Sequence, residues 1–319
     1  MVPWLQGKVN DYDCVIVHGL WQYHGYAVMK TAQRKGVPYF VYPHGMLDPW
    51  FKRCNPLKHL KKAIYWQVAE SKVMSHALGV IFTCEEEKRL AATTFRPYRC
   101  SPLVAPLGIH APAGEAGAQV EAFYNSFPGI DGKPFLLYLG RVHPKKGLDL
   151  LLDAALALGK PLPNLVIAGP VDDSAYQQRL IGGVEKIKEQ QPGWQCLWGG
   201  MLEGDLKWGA FRAASAFVLP SHQENFGIAV VEALSVGTPV LITEKVNIFR
   251  EIIDANAGLA CADTVGGLRG MLSTWFAMDT EEKEVFSRNA VNCFYENYEI
   301  TQAARHLVDV LGDAIGRGE

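Results

Sequence analysis

Two Rossmann-like α/β domains are the architecture this sequence predicts, and three observations predict it. Short apolar, β-branched runs alternate with longer helical patterns, the sequence form of strand-helix-strand units with a parallel sheet covered on both faces. The alternation pauses once before mid-chain and then restarts. The length of 319 residues suits two domains of roughly 100 to 200 residues each. With 49% hydrophobic and 20% charged residues, the composition is that of a folded globular chain and excludes collagen, coiled coil and disorder. A net charge of −2 leaves no whole-molecule basic field, so no nucleic-acid partner is expected. Charge is nevertheless uneven. Residues 1–112 carry 14 Lys+Arg against 7 Asp+Glu, a net of +7, and residues 113–319 carry 17 against 26, a net of −9.

In the front half the expected strands are Asp13 to Gly19, Pro38 to Gly45, Ala77 to Cys84 and Pro102 to Gly108, with helices between them. One helix is expected to start at Thr83 as N-cap, with Glu86 three residues on in a capping-box spacing. Composition changes at His110 to Gln119, rich in Ala, Gly and Pro, and turn signals continue through SFPGIDGKP, so a domain boundary is expected near 110–133. This divides the chain into residues 1–112 and 113–319, with the last helix expected to pack back on the N-terminal domain. The strands then resume with Phe135 to Arg141, Asn164 to Pro170, Trp194 to Gly200, Ser215 to Ser221, Pro239 to Thr243 and Gly258 to Ala262. Two such domains facing one another place their strand C-terminal ends on a common cleft, where open α/β sheets bind ligands.

Seven cysteines, Cys14, Cys54, Cys84, Cys100, Cys196, Cys261 and Cys293, are odd in number and lack any Cys-x-x-Cys pair, so they read as buried reduced thiols of a cytosolic protein. No apolar run reaches the roughly 18 to 20 residues of a membrane span, and Met1 is followed by no signal-peptide pattern. A cytoplasmic chain is expected. The stretch Phe51 to His76 has two readings. Lys58, Lys61 and Lys62 beside Leu57, Leu60, Ile64, Tyr65 and Trp66 form a basic amphipathic helix, either packed on the core with a solvated lysine face or resting on an anionic membrane surface.

Two constellations carry chemistry. Ser221 to Leu241 begins where a strand ends, passes Glu224, Asn225, Phe226 and Gly227, and enters a helix holding Glu232. A helix N-terminus at a strand end presents backbone N–H groups and a positive dipole end, which suits a diphosphate. Glu224 and Glu232, eight residues apart, are separated along the axis by roughly 10 to 12 Å, comparable to the reach from a sugar to a ribose across two phosphates. The second constellation, Leu137 to Ala155, ends a strand in Gly140-Arg141, carries His143, Lys145 and Lys146 in a loop, and opens a helix at Gly147. Arg141 and Lys146 bring two positive charges suited to phosphate oxygens.

Gly140-Arg141 with Lys146-Gly147, the Gly169 and Gly199 turns, Glu224 to Gly227, Glu232-Ala233 and Gly237-Thr238-Pro239-Val240 together resemble the retaining glycosyltransferases of family 4, over about residues 13–300. The resemblance implies the two-Rossmann GT-B architecture. Pro43 to Trp50 and His18 to Gly25 are similar to members that build bacterial surface polysaccharides and lipopolysaccharide. Carried over, the pattern implies Arg141 and Lys146 as the diphosphate pair, Glu224 beside the donor sugar and Glu232 on the ribose. Gly140 belongs to the same donor loop. Asn225, Phe226 and Gly227 contribute backbone at the phosphates, and Gly200 and Met201 border the base. His44 matches a histidine near the donor sugar, while His18, Trp21 and His24 are acceptor-side candidates or packing residues. The implied reaction transfers a sugar from a nucleotide diphosphate sugar to a saccharide or lipid-linked acceptor with retention. No cofactor is implied, and no metal, because no Asp-x-Asp pair accompanies the cationic side chains.

The sequence also departs from that pattern. Family members begin with a further strand and glycine-rich loop, and nothing of that kind precedes Asp11, so the N-terminal domain is expected to be incomplete and to expose a sheet edge and part of its core. Leu107 stands where many members carry Asn, without expected loss of activity. Two other classes stay open: a catalytically silent nucleotide-sugar-binding fragment, and a nucleotide-sugar epimerase of the same architecture. A dinucleotide oxidoreductase is disfavoured, because no G-x-G-x-x-G follows a strand.

Overall fold

In the computed structural model, which describes residues 1–54, 56–130, 132–159 and 162–317, the described residues form ten strands, one in each expected run. They are β1 (Val15–His18), β2 (Tyr39–Tyr42), β3 (Gly79–Phe82), β4 (Pro102–Val104), β5 (Phe135–Leu139), β6 (Asn164–Ala168), β7 (Cys196–Gly200), β8 (Ala216–Leu219), β9 (Val240–Thr243) and β10 (Gly258–Cys261). The chain divides into two compact units, residues 1–108 with 300–319 and residues 109–299.

The first unit holds a parallel sheet in the order β1-β2-β3-β4. Its central strands β2 and β3 are buried along their whole length, as their continuous apolar runs require. On one face Val17, Val41, Val80 and Phe82 join Leu20, Met29, Trp66, Val73 and Phe95 in a single core. On the other, Phe40, Tyr42, Ile81 and Ala105 are covered by Leu307, Leu311, Ala314 and Ile315 of the last helix, Ile300–Gly316. Leu107 packs against the same cluster, so an apolar side chain suits this position. β1 stands at one edge of the sheet, beside an open groove lined by Trp4, Leu5, Val9, Tyr12, Cys14 and Ile16.

The domain boundary falls earlier than composition suggests. Ile109 N–H donates to Tyr298 O (2.9 Å) inside the second unit, whereas the neighbouring Gly108 lies where any Cβ would press on the Ile300 backbone and Ala303 of the first. The Ala- and Gly-rich stretch is not a linker throughout. Ala116–Ser126 is a helix, because alanine favours helix and the Glu115 carboxylate accepts from the N–H groups of Gly117 (2.9 Å) and Ala118 (2.6 Å). Those two donors hold the Glu115 carboxyl below its ordinary value. Within the boundary region 110–133, Asp131 lies outside the described residues. The helix Gly204–Ala213 packs so closely on Ala116–Ser126 that a Cβ at Gly209 would strike Gln119 O. Gly209→Ala is therefore expected to cost about 2–3 kcal/mol of stability, read as a lowered thermal midpoint.

The second unit carries a parallel six-stranded sheet in the order β10-β9-β8-β5-β6-β7. Chain order runs outward from β5 to β7 and then from β8 to β10, so the direction of winding reverses between β5 and β8, which pair directly (Leu136↔Ala216, Leu137↔Phe217). Helices leave the C-terminal ends of these two strands toward opposite faces, and the crevice between such loops is where this sheet type binds ligands.

Three further expectations are corrected. The helix after β3 is Glu85–Ala91 with Cys84, not Thr83, as N-cap, and the reaching carboxylate is Glu87, not Glu86. The register shifts by one residue because the Glu87 carboxylate accepts from both the N–H and the Oγ1 of Thr83, while Glu86 pairs with Arg89 on the helix itself. The thiols are all free, yet only Cys84 and Cys293 are buried and Cys54 is exposed. Finally, the basic segment is helical over Trp50–Cys54 and from Pro56 to His76, widening to a π turn at Trp66–Glu70. Trp66 leaves the expected apolar face and is buried, its Nε1 donating to Pro97 O (2.8 Å). Asn55 and the side chains of Phe51 and Arg53 lie outside the described residues. Among the described residues no helix is long and apolar enough to cross a membrane.

Candidate functional site

In the second unit the crevice between the loops after β5 and β8 collects most of the expected donor residues. After β5, Gly140 N–H donates to Ala168 O (2.9 Å) and Val142 N–H to Pro170 O (2.8 Å), extending the ladder toward β6. Gly169, at φ +130°, lies against Gly140 O so closely that no side chain fits there. Tyr138 Oη donates to Arg141 O (2.7 Å) and fixes the strand end. The chain then makes one 3-10 turn, Pro144–Lys146, capped by His143 Nδ1 accepting from Lys145 N–H (3.1 Å). Gly147 (φ +68°) sits under Pro220 O, where a Cβ has no room, and starts the helix Leu148–Leu158. Lys146 is thereby placed at the neighbouring strand's exit.

After β8 the chain runs alongside the segment following β9. Glu224 N–H donates to Lys245 O (2.8 Å), and Asn247 N–H donates to Glu224 O (3.0 Å). This short parallel bridge holds Glu224 rigidly, and its carboxylate forms an ion pair with Lys146 Nζ. Both side chains are more than four-fifths buried, so the pair is only weakly screened. Asn225 Oδ1 accepts from Asn247 Nδ2 (3.3 Å). Phe226 turns into the core, edge-on to Tyr298 with ring centroids 5.6 Å apart, so only its backbone faces the loop. Gly227 (φ +78°) then begins the helix Ile228–Ser235, whose first N–H groups have no partner within the helix.

Glu232, in the second turn of that helix, pairs with Lys207 Nζ (2.8 Å). Lys207, which sequence reasoning missed, lies over the Trp208 ring, 4.3 Å from its centroid. It was hidden because its helix shows no motif and its partner lies 25 residues on. Arg141 takes a different position from Lys146. Its guanidinium pairs with Asp172 (3.2 Å), and the two side chains are 59% and 39% exposed, so the attachment is weak and readily exchanged. Gly200 ends β7 at φ +59°, its carbonyl accepting from Gly169 N–H (2.7 Å), and leaves Met201 exposed.

The first unit has its own cluster, at the ends of β1 and β2. His18 Nδ1 and His44 Nε2 share a hydrogen bond of 2.8 Å, and their rings stack with Tyr42, the Tyr42 and His44 centroids 4.6 Å apart. His24 Nε2 lies 3.0 Å from His18 O. His44 occupies the left-handed region (φ +50°), an unusual conformation for a non-glycine residue and one that concentrates at functional sites. It is held there by Glu87, a buried carboxylate that accepts from Gly45 N–H (2.5 Å), Thr83 N–H and Thr83 Oγ1 (both 2.7 Å). Glu87 was hidden within a run of three glutamates. Trp21, also left-handed at φ +68°, is directed into packing, its ring against Phe95 (5.3 Å) and Trp66 (6.1 Å) and its backbone N–H donating to Glu70 Oε1 (3.2 Å).

Burial, and then the charge of His18, hold the His44 imidazole below its ordinary value. The unfolded chain consequently takes up a proton more readily than the folded one, so stability is lost as pH falls through the ordinary histidine range and levels off once folded His44 protonates. His44→Asn, which tolerates the left-handed backbone, is expected to shrink the fall in thermal midpoint between ~pH 7.5 and ~pH 5.5. Among the described residues no group of three or more His, Cys, Asp or Glu stands close enough to hold a metal ion.

Against known proteins, the family model described as "Glycosyl transferases group 1" matches residues 121–291, and that of a "Glycosyl transferase 4-like domain" matches residues 1–103. Mannosylfructose-phosphate synthase of Agrobacterium fabrum is 26% identical over 77% of this chain and 57% of its own length. D-inositol 3-phosphate glycosyltransferase of Nocardia farcinica is 26% identical over 64% of this chain and 48% of its own. The chain thus spans about half the length of these relatives. Among solved structures, Anabaena Alr3699/HepE in complex with UDP and glucose superposes with a TM-score of 0.73 at 15% identity, covering 98% of this chain and 81% of that one. Sucrose-phosphate synthase of Thermosynechococcus elongatus gives 0.71 at 17% identity, covering 99% and 78%. At this identity the likeness shows the fold, two parallel-sheet Rossmann-like units with GT-B glycosyltransferases as structural neighbours.

Proposed function

The chain belongs to the group 1 glycosyl transferases, and from that premise we propose that it is a retaining, metal-independent glycosyltransferase moving a sugar from a nucleotide diphosphate sugar to an acceptor hydroxyl. The observation that carries the reading is the largely buried Lys146–Glu224 pair at the winding reversal of the second sheet, beside the helix that Gly227 opens. A cation and a helix N-terminus converge there on one crevice, the arrangement a leaving diphosphate requires. Lys146 stabilises the developing phosphate charge. Arg141 joins it by exchanging its exposed Asp172 partner, at small cost. These cationic groups take the place a metal ion would have.

Glu224, released from Lys146 as the diphosphate arrives, orients the donor sugar through its hydroxyls. Glu232 accepts from the ribose, with Lys207 fixing its carboxylate. Gly140 lets the donor loop approach, Asn225 to Gly227 offer backbone to the phosphates, and Gly200 and Met201 border the base. In the first unit, the cluster of His44, His18 and His24 is assigned to sugar hydroxyls. Trp21 is assigned to shaping the loop that carries them, since its ring is packed inward. The acceptor hydroxyl attacks the anomeric carbon from the face the diphosphate leaves, and a departing phosphate oxygen takes its proton, so no protein nucleophile is needed. Alr3699/HepE with UDP and glucose supports a uridine donor and a sugar substrate for this chain. The acceptor we propose is a saccharide or lipid-linked saccharide of bacterial surface polysaccharide or lipopolysaccharide assembly, used at the cytoplasmic face of the membrane by a peripherally bound enzyme.

Incubation with UDP-glucose tests the reaction. Released UDP and a sugar first seen by proton NMR as the α-anomer are expected from water acting in place of the acceptor. A β-anomer contradicts retention, and binding of UDP-glucose without any turnover favours the silent binding module. Glu232→Gln is expected to weaken UDP binding about tenfold in calorimetric titration, by loss of a charge-assisted hydrogen bond to the ribose.

A further inference from the structure

Pro56 to His76 carries four large aliphatic side chains that the fold leaves uncovered. Leu57 is 75% exposed, Leu60 58%, Ile64 61% and Val68 65%. At 3.6 residues per turn Leu57, Leu60 and Ile64 fall within about 60° of arc on one face of the α-helical run, and Val68 follows in the π turn as a further exposed aliphatic side chain. The opposite side is the one that packs. Trp66 is buried against Phe95, His59 stacks on Phe95 at 4.7 Å, and Lys62 lies 4.8 Å over the Trp21 ring. The helix is therefore seated on its unit by that side, and the aliphatic stripe is additional to what folding uses.

The charges around the stripe are of one sign. Between Trp50 and His76 the sequence holds six Lys and Arg and one acidic residue, Glu70, which is buried. Lys52, Lys58, Lys61 and Lys72 are exposed, with Lys58 and Lys61 along one flank of the stripe beside Tyr65. An uncovered aliphatic face bordered by lysines and an aromatic residue is complementary to a surface that is apolar inside and anionic outside.

We propose that the stripe Leu57, Leu60, Ile64 and Val68 is a membrane-docking face that enters the headgroup boundary of an anionic bilayer, with Lys58 and Lys61 engaging lipid phosphates. This deepens the functional reading by supplying the surface at which a lipid-linked acceptor is met, and it rests on that reading for its purpose only. An aliphatic face alone would equally suit a second copy of the chain. The lysines decide against that, because two copies of a basic face repel one another.

Co-sedimentation with lipid vesicles tests the proposal. The chain is expected to bind vesicles of mixed phosphatidylglycerol and phosphatidylcholine, and to bind phosphatidylcholine alone at least tenfold more weakly. The double substitution Leu60→Glu with Ile64→Glu is expected to lower affinity about a hundredfold, the scale of exchanging two inserted aliphatic side chains for charges. Both positions are exposed, so its circular dichroism and UDP binding should match wild type; if the double variant fails to fold, Lys58→Glu with Lys61→Glu replaces it, with a tenfold or greater loss expected. Absence of vesicle binding by wild type overturns the proposal, as does equal binding by a folded variant or equal binding to neutral vesicles. A dimer dissociated by the same substitutions, with no vesicle binding, overturns it in favour of self-association. Vesicle binding by a chain that ignores UDP supports the docking face while contradicting the donor site.

Discussion

Glu224→Ala is expected to lower turnover of UDP-glucose about 10²–10³-fold while leaving UDP affinity intact or improved. The bridge of Glu224 to the segment after β9 places its carboxylate at a fixed point of the crevice, where it forms an ion pair with Lys146. In the unliganded chain that pair neutralises the lysine. A diphosphate competing for Lys146 must displace the carboxylate, so removing the carboxylate frees the lysine for phosphate and affinity for UDP does not fall. What disappears is the group that holds the sugar while the diphosphate departs, and misplacement by about 1 Å is enough to cost roughly a hundredfold. Steady-state release of UDP, set beside calorimetric affinity for UDP, separates the two effects. Equal losses in both would mean that Glu224 maintains the loop and nothing more.

The second large effect is expected from Lys146→Ala. A hydrogen bond to a charged group contributes roughly 1.5–3 kcal/mol, so the dissociation constant for UDP should rise about ten- to a hundredfold. The same substitution leaves Glu224 partly buried without its cation, and the thermal midpoint should fall as well. The two consequences are separable, because saturating UDP raises the midpoint of wild type and should raise that of the variant far less. Lys146→Arg is not expected to restore affinity. Gly147 beneath Pro220 O fixes the turn that carries residue 146, and a planar fork fits a diphosphate differently from a point charge.

The strands were the most legible part of the molecule. Buried parallel strands must be continuous apolar runs, and each run from Val15 to Cys261 became one. The loop glycines were legible for a related reason, since Gly147, Gly169 and Gly227 stand where the backbone turns left-handed or a neighbouring carbonyl leaves no room. Pairing of charges was not legible. Nothing in the spacing of Arg141 and Lys146 says that one reaches Asp172 and the other Glu224, because that depends on which side of β5 each side chain leaves. Lys207 and Glu87 escaped for the same reason, being polar residues whose partners are distant in sequence. At residues 56–68 the lysines were visible, whereas the side of the helix facing the core was set by the burial of Trp66 against Phe95 and Pro97 O.

Binding of a nucleoside diphosphate in the crevice that holds Lys146 and Glu224 can be read in a single titration. Wild type and Lys146→Ala are titrated calorimetrically with UDP, GDP and ADP, with NAD as control, and thermal midpoints are recorded alongside. Binding and stabilisation by one diphosphate, UDP first among them, with a ten- to hundredfold loss in the variant, is the predicted result. A folded chain that binds none of the three, or one whose Lys146 variant binds as tightly as wild type, would mean that this crevice is not a nucleoside diphosphate site.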